Sequence, residues 1–224
     1  MTELSINQPI KQSFIYSVNG WLFFVLIIIV QWVVTFINTE FILSEALYVE
    51  AYSDIYSLEQ LSKMLALQEN LVLANYLFPI VYYPFKFLMV SMAILTGLYF
   101  CQQQVKFSHV FKVVMIAEAV FLVRLMYKSL YFWLFAESYT LQDFKQFYPF
   151  SITSFDWTLP TWLVYPLSMI NVFEAVYVLC IYMGLKAFVH YIDPRRLGII
   201  VGTTYATYLF LLMLLSAYLN IING

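Results

Sequence analysis

From Leu197 to Ile222 the chain runs without one charged side chain. Four earlier stretches, 21–37, 71–100, 110–135 and 162–188, are almost as apolar. A hydrocarbon core is crossed by a helix of about 20 mostly apolar residues. The stretches are long and continuous rather than short and alternating, which rules out membrane β-strands. The expected fold class is therefore all-α: a polytopic transmembrane helical bundle of five spans. Composition points the same way. Of 224 residues, 63% are hydrophobic and only 11% charged, whereas a soluble domain carries roughly 25% charged residues. So few charges cannot cover a water-facing surface. The length suits one transmembrane domain, residues 1–224,.

The spans differ in how cleanly they read. The second contains Pro79, Pro84 and Lys86 and is expected to kink or tilt,. The third carries Glu118, Arg124 and Lys128, and the fourth Pro166 and Glu174. Two outer loops join them, 38–70 and 137–160. The first is acidic, and Leu58, Leu61 and Leu65 suggest a separate short amphipathic helix starting near Ser57, lying on the membrane or capping the bundle,. In the second, Thr140 and Asp143 have the spacing of a capping box and predict another short helix,.

Basic residues set the orientation. Lys11, Lys106, Lys112, Lys186, Arg195 and Arg196 fall on one side, and only Lys63 and Lys145 on the other. This predicts a cytoplasmic N-terminus, with Met1–Gly20 a retained polar tail, and an outer C-terminus. Trp21, Trp133, Trp157 and Trp162 lie where an aromatic belt is expected,.

Lys86, Arg124 and Glu174 fall near the middle of three different spans, where a charge costs at least about 2.5–3.5 kcal/mol. They should converge in the interior, with Glu118 toward the cytoplasmic side and Lys128 one turn beyond Arg124. Glu118 and Arg124, six residues apart, point to different faces. Glu174 is expected to bridge to Arg124 or Lys86, leaving Lys128 to snorkel outward. Asn171 and Asn75 would extend the polar interior. The set Lys86, Glu118, Arg124, Lys128, Glu174 and Asn171 reads in two ways. It is either a buried ion-pair network that fixes helix register, or a pathway for protons, ions, an anionic ligand or a lipid headgroup.

The remaining signals are weaker. His109 and His190 sit at cytoplasmic span ends, as interface residues or pH sensors,. Asp193-Pro194 opens a turn that Arg195 and Arg196 would anchor on anionic lipid. Gly198 and Gly202 have the GxxxG spacing that permits close helix approach. Cys101 and Cys180 lack metal-site spacing,. With no P-loop, HExxH, GxSxG or CxxCH, no enzyme activity, cofactor or metal is expected,. The net charge of −2 gives no reason to expect a nucleic-acid partner,.

Two segments carry a resemblance: YTLQDFKQFYPFS, residues 139–151, and LPTWLVYPLSMINVFEAVYVLCIYMGLK, residues 159–186. Through them the chain resembles a group of bacterial inner-membrane proteins loosely labelled permease-like. The five-span layout is also similar to that of the Yip1 family of membrane-trafficking and membrane-organising proteins, without the aromatic-glycine motif of its eukaryotic members. The resemblance implies a multi-pass protein of the bacterial cytoplasmic membrane. The leading functional expectation is a non-enzymatic accessory or scaffold subunit that binds membrane-protein partners through the outer loops. The alternative is a small-molecule or ion transporter or channel that uses the buried charges.

Overall fold

The computed structural model describes residues 18–154, 159–189 and 191–223. Lys11, the N-terminal tail before residue 18, Trp157 and His190 lie outside them. Among the described residues the regular structure is helical, apart from one isolated antiparallel bridge between Ser151 and Asn171.

Helix α1, Gly20–Ile37, starts where the Asn19 side chain accepts from the backbone N–H groups of Trp21 and Leu22, and a π-helical turn, Asn38–Ile42, extends it,. Helix α2, Glu45–Tyr52, is capped by Ser44. Helix α3, Leu58–Phe100, is 43 residues long and continuous through Pro79 and Pro84. The helix expected near Ser57 does begin there, since Ser57 and Gln60 form a capping box. It is not separate, however. Neither glycine nor proline falls between Leu58 and Phe78, so nothing stops the helix before it becomes the second apolar run.

The third run is divided into α4, Phe107–Ala117, and α5, Ala119–Leu134, which meet at Glu118. After α6, Leu141–Gln146, the fourth run is divided into α7, Thr161–Ser168, and α8, Val172–Phe188. Helix α9, Pro194–Asn223, follows. Its first turn opens with proline, the residue that lacks a donor N–H where none is needed. The Asp193 carboxylate accepts from the N–H of Arg196 at 3.1 Å.

Three helical segments are long and apolar enough to cross a membrane: Gly20–Ile42, Leu71–Phe100 and Pro194–Ile222. The other two apolar runs contain no unbroken helix of that length, because each is interrupted. Both interruptions fall at residues singled out for their polarity, Glu118 and Asn171.

The rods pack side by side. At one end the Tyr191 hydroxyl donates to the Gln104 carbonyl, and the His109 ring stacks on Phe188 with centroids 4.4 Å apart. Lys106, Arg195 and Arg196 flank the same loops. At the other end Ser129 Oγ donates to Asn38 Oδ1 at 2.7 Å, Tyr139 to the Ile42 carbonyl at 2.9 Å, and Lys145 to the Tyr52 hydroxyl at 3.0 Å. Between the ends lies one apolar core. Phe87, Val90, Ile94 and Leu98 of α3, Val110, Val113 and Val114 of α4, Tyr177, Ile181 and Leu185 of α8, and Leu197 and Val201 of α9 form it, with α4 and α9 each packed against both α3 and α8. These residues recur every three or four positions, the spacing of a single helix face.

Glycine matters most where α3 meets α9, at a position the GxxxG spacing did not indicate. A Cβ on Gly97 would stand 2.0 Å from Thr204 Oγ1, whereas one on Gly202 would meet nothing within 4 Å, and one on Gly198 would make ordinary contact with Tyr182 at 3.5 Å. The close approach therefore runs through Gly97.

Candidate functional site

Between α3, α5, α7, α8 and α9 lies a cavity of about 610 Å³. Lys86, Arg124, Lys128, Glu174 and Asn171 all line it. Glu118 lies behind this wall, 1% exposed, and reaches the cavity through its partner Lys86. The six residues converge as expected, but their pairing differs from the expectation. Lys86 Nζ is 2.6 Å from Glu118 Oε1. Glu174 instead accepts a hydrogen bond from the Tyr205 hydroxyl at 2.5 Å. The reason is the break at Glu118. There the backbone N–H is shared between the Val114 and Met115 carbonyls, and the residue sits at the junction of two helices rather than inside one.

This pairing leaves two cations. No salt bridge among the described residues reaches Arg124 or Lys128. Aromatic faces hold them instead. The Arg124 guanidinium lies 5.1 Å from the Phe121 ring centroid, and Lys128 Nζ lies 4.4 Å from Phe144 and 5.9 Å from Tyr148. Lys86 Nζ also stands 4.1 Å over Phe121. Cation–π contacts of this kind are worth about 0.5–2 kcal/mol each, less than a buried charge pair supplies. Lys128 lines the cavity and reaches its amine toward Phe144 and Tyr148 of the segment that follows α5. It shares one face of α5 with Arg124, four residues apart, an arrangement that repels by a few tenths of a kcal/mol.

Asn171 has a backbone role. Its side chain accepts from the N–H of Glu174 at 3.0 Å, capping α8, while its amide donates to the carbonyls of Ser168 and Met169. The open backbone at this break is closed by the outer loop. Ile152 N–H donates to the Ile170 carbonyl at 3.0 Å, and Val172 N–H to the Phe150 carbonyl at 3.1 Å. To reach, Phe150 adopts a left-handed φ of 58°, a conformation that costs a bulky residue of order 1–3 kcal/mol. The irregular backbone at this break is thus satisfied by another segment of the chain, and Asn171 lines the cavity.

The tyrosines around the charges were not anticipated. Tyr82, Tyr148, Tyr165, Tyr205 and Tyr208 contribute to the lining. Tyr148, between α6 and α7, has its pKa raised chiefly by burial. A signal for part of this lining does exist in the sequence. Tyr82, Phe85, Lys86 and Met89 follow the i, i+3, i+4, i+7 pattern of one helix face,. Asn75 is exposed on α3 and does not join the site. Glu118 Oε2 and the Tyr177 hydroxyl are buried without a hydrogen-bond partner among the described residues. No group of three or more His, Cys, Asp or Glu comes together among the described residues.

Compared with known proteins, the chain matches no family model, no curated protein and no solved structure.

Proposed function

We propose that the chain is an integral membrane protein that crosses the bilayer five times, N-terminus inside and C-terminus outside, and that it binds an anionic solute in the central cavity as the binding step of a transporter or channel. The single observation that carries the binding reading is the surplus of positive charge. Arg124 and Lys128 line a cavity of about 610 Å³ with no carboxylate paired to them. Had all the charges been paired, a packing role would account for them. Here Arg124 and Lys128 stand against one carboxylate, Glu174, which lines the same cavity and is bonded to Tyr205, so a surplus of one positive charge is left for a ligand, in a volume typical of small-molecule sites.

Five crossings are supported by the two interrupted runs. Each consists of two helices in sequence, and each carries lining residues into the cavity. The accessory-subunit reading draws less support. Among the described residues of the second outer loop, Phe147 stacks on Tyr131 at 4.8 Å, and Phe144 and Tyr139 pack edge-on against Phe132, whereas Phe150 is exposed.

The test is thermal unfolding of the purified protein in a neutral detergent, with and without a panel of phosphate, sulfate and carboxylate compounds with and without alkyl chains. At least one of these anions should stabilise the wild type, and the gain should vanish in Arg124→Gln and Lys128→Gln. If every anion on the panel raises the unfolding temperature of Arg124→Gln and Lys128→Gln as much as that of the wild type, or raises none of them, the anion-site reading fails.

A further inference from the structure

Resting on the anion-site reading, we propose that the ligand is an amphiphile with a phosphate-type headgroup, and that it enters sideways from the bilayer rather than from the water. The cavity lining is of two unlike kinds. Arg124, Lys128 and Glu174 give it charge, with Tyr148 and Asn171 also in the lining. Phe85 and Met89 of α3 and Leu209, Leu212 and Leu215 of α9 give it apolar surface. These five side chains carry no polar group that could hold a solvated anion. A ligand that meets both kinds of surface needs a charged head and an apolar body.

The head is defined by what faces it. A guanidinium presents a planar fork of donors that matches two oxygens of a phosphate, and a lysine beside it adds a point charge. Two adjacent cations, one turn apart on α5, can each meet a different oxygen of a phosphate monoester, and with the one carboxylate of Glu174 in the same lining they suit a head with several acceptor oxygens better than a single carboxylate. The tyrosine hydroxyls offer neutral donors to remaining oxygens.

The route is defined by which lining residues are exposed on the outside of the bundle. Phe85 is 61% exposed, Leu215 55% and Tyr165 49%. All three belong to stretches expected to lie in hydrocarbon, so their exposed faces meet lipid tails. Helices α3 and α9 are held close at Gly97 and Thr204. Farther along both helices, between Phe85 and Leu212, the cavity lies between them. A lipid-like tail could thread that gap while its head slides to Arg124, without leaving the membrane.

Dodecyl phosphate is the probe, measured against inorganic phosphate, dodecyltrimethylammonium and dodecyl maltoside by thermal unfolding and by native mass spectrometry of the detergent-solubilised protein. Dodecyl phosphate should stabilise and remain bound, and the cationic and neutral chains should not. Arg124→Gln should weaken it about tenfold, as loss of a charged bidentate contact does, with Arg124→Lys recovering part of the loss. Leu212→Trp, which adds bulk to the apolar lining, should weaken dodecyl phosphate while leaving the response to Arg124→Gln in place. If inorganic phosphate binds as tightly as dodecyl phosphate, or if Leu212→Trp has no effect, the amphiphile proposal is overturned while the anion site stands. If only carboxylate compounds bind, the phosphate assignment falls. If no phosphate compound stabilises the wild type more than Arg124→Gln, the amphiphile is excluded, and the wider panel then decides whether an anion site remains. Should a variant unfold on purification, the length series of alkyl phosphates on the wild type decides alone. Affinity must rise with chain length more steeply than it does for the matching alkyl maltosides.

Discussion

Lys86 and Glu118 illustrate how a residue's effect depends on what its absence leaves behind. Glu118 is 1% exposed, with Lys86 as its salt-bridge partner at 2.6 Å. Lys86→Met strands a buried carboxylate and should lower stability by about 3–5 kcal/mol. Adding Glu118→Leu to that variant should recover most of the loss, read as apparent Tm in one detergent. Failure of the double variant to recover would mean that Glu118 is held by something other than Lys86. Gly97 makes the second case. Gly97→Ala forces a Cβ onto Thr204 and should destabilise by about 1–3 kcal/mol. In a Thr204→Ala background the same change should be milder, a coupling that a double-mutant cycle measures. The convergence of charged residues could be read from the sequence, because mid-span charges must find an interior. Their pairing could not. Lys86 and Glu118 sit on different helices, and only the break at Glu118, which no spacing announces, sets which carboxylate meets the lysine.

At the scale of elements, the short helix α6 reports on a titration. The Asp143 carboxylate accepts from the Thr140 N–H and the Thr140 hydroxyl, both at 2.8 Å. These bonds favour the ionised form and hold its pKa below the ordinary 3.8. Because the folded value lies below the unfolded one, the stabilisation is complete above the ordinary carboxylate range. It is lost as pH falls through the folded value. The protection of the Leu141–Gln146 amides, taken relative to their intrinsic exchange rate at each pH, should therefore fall as pH drops below that range, and Asp143→Asn should remove the dependence. Thr140→Ala should cost the cap about 1 kcal/mol. This helix was readable from its Thr140–Asp143 spacing. Ser57 was equally readable as a helix start, but the length of α3 was not, since a capping signal marks where a helix begins and says nothing of where it ends. The division between α7 and α8 was hidden for another reason. Its backbone partners come from residues 150–152, in a different segment of the chain.

For the whole molecule, the testable quantity is sidedness. With Cys101 and Cys180 replaced by serine, single cysteines at Lys63, Glu137 and Lys145 should react with a membrane-impermeant maleimide in intact cells. Cysteines at Lys106, Lys112 and Arg195 should react only after lysis. Labelling of both sets from outside would break the five-crossing proposal. The apolar runs made the helical architecture readable. The cavity was not readable, because it arises from helices that touch at Gly97 and separate farther along, a property of the assembled rods and not of any one.

Helix α3 is also a lever. Its 43 residues rise about 1.5 Å each, giving a rod of roughly 64 Å, about twice the hydrocarbon thickness of some 30 Å. Pro79 and Pro84 remove backbone hydrogen bonds close to Lys86, which makes that point the natural fulcrum. The arm from Leu58 to Pro79 measures about 32 Å at the helical rise. A change of about 10° at the fulcrum would carry its tip roughly 6 Å by the same geometry. A spin label at Ser62, far outside the cavity, should thus register events at Lys86 as a change in distance, amplified by the length of the arm.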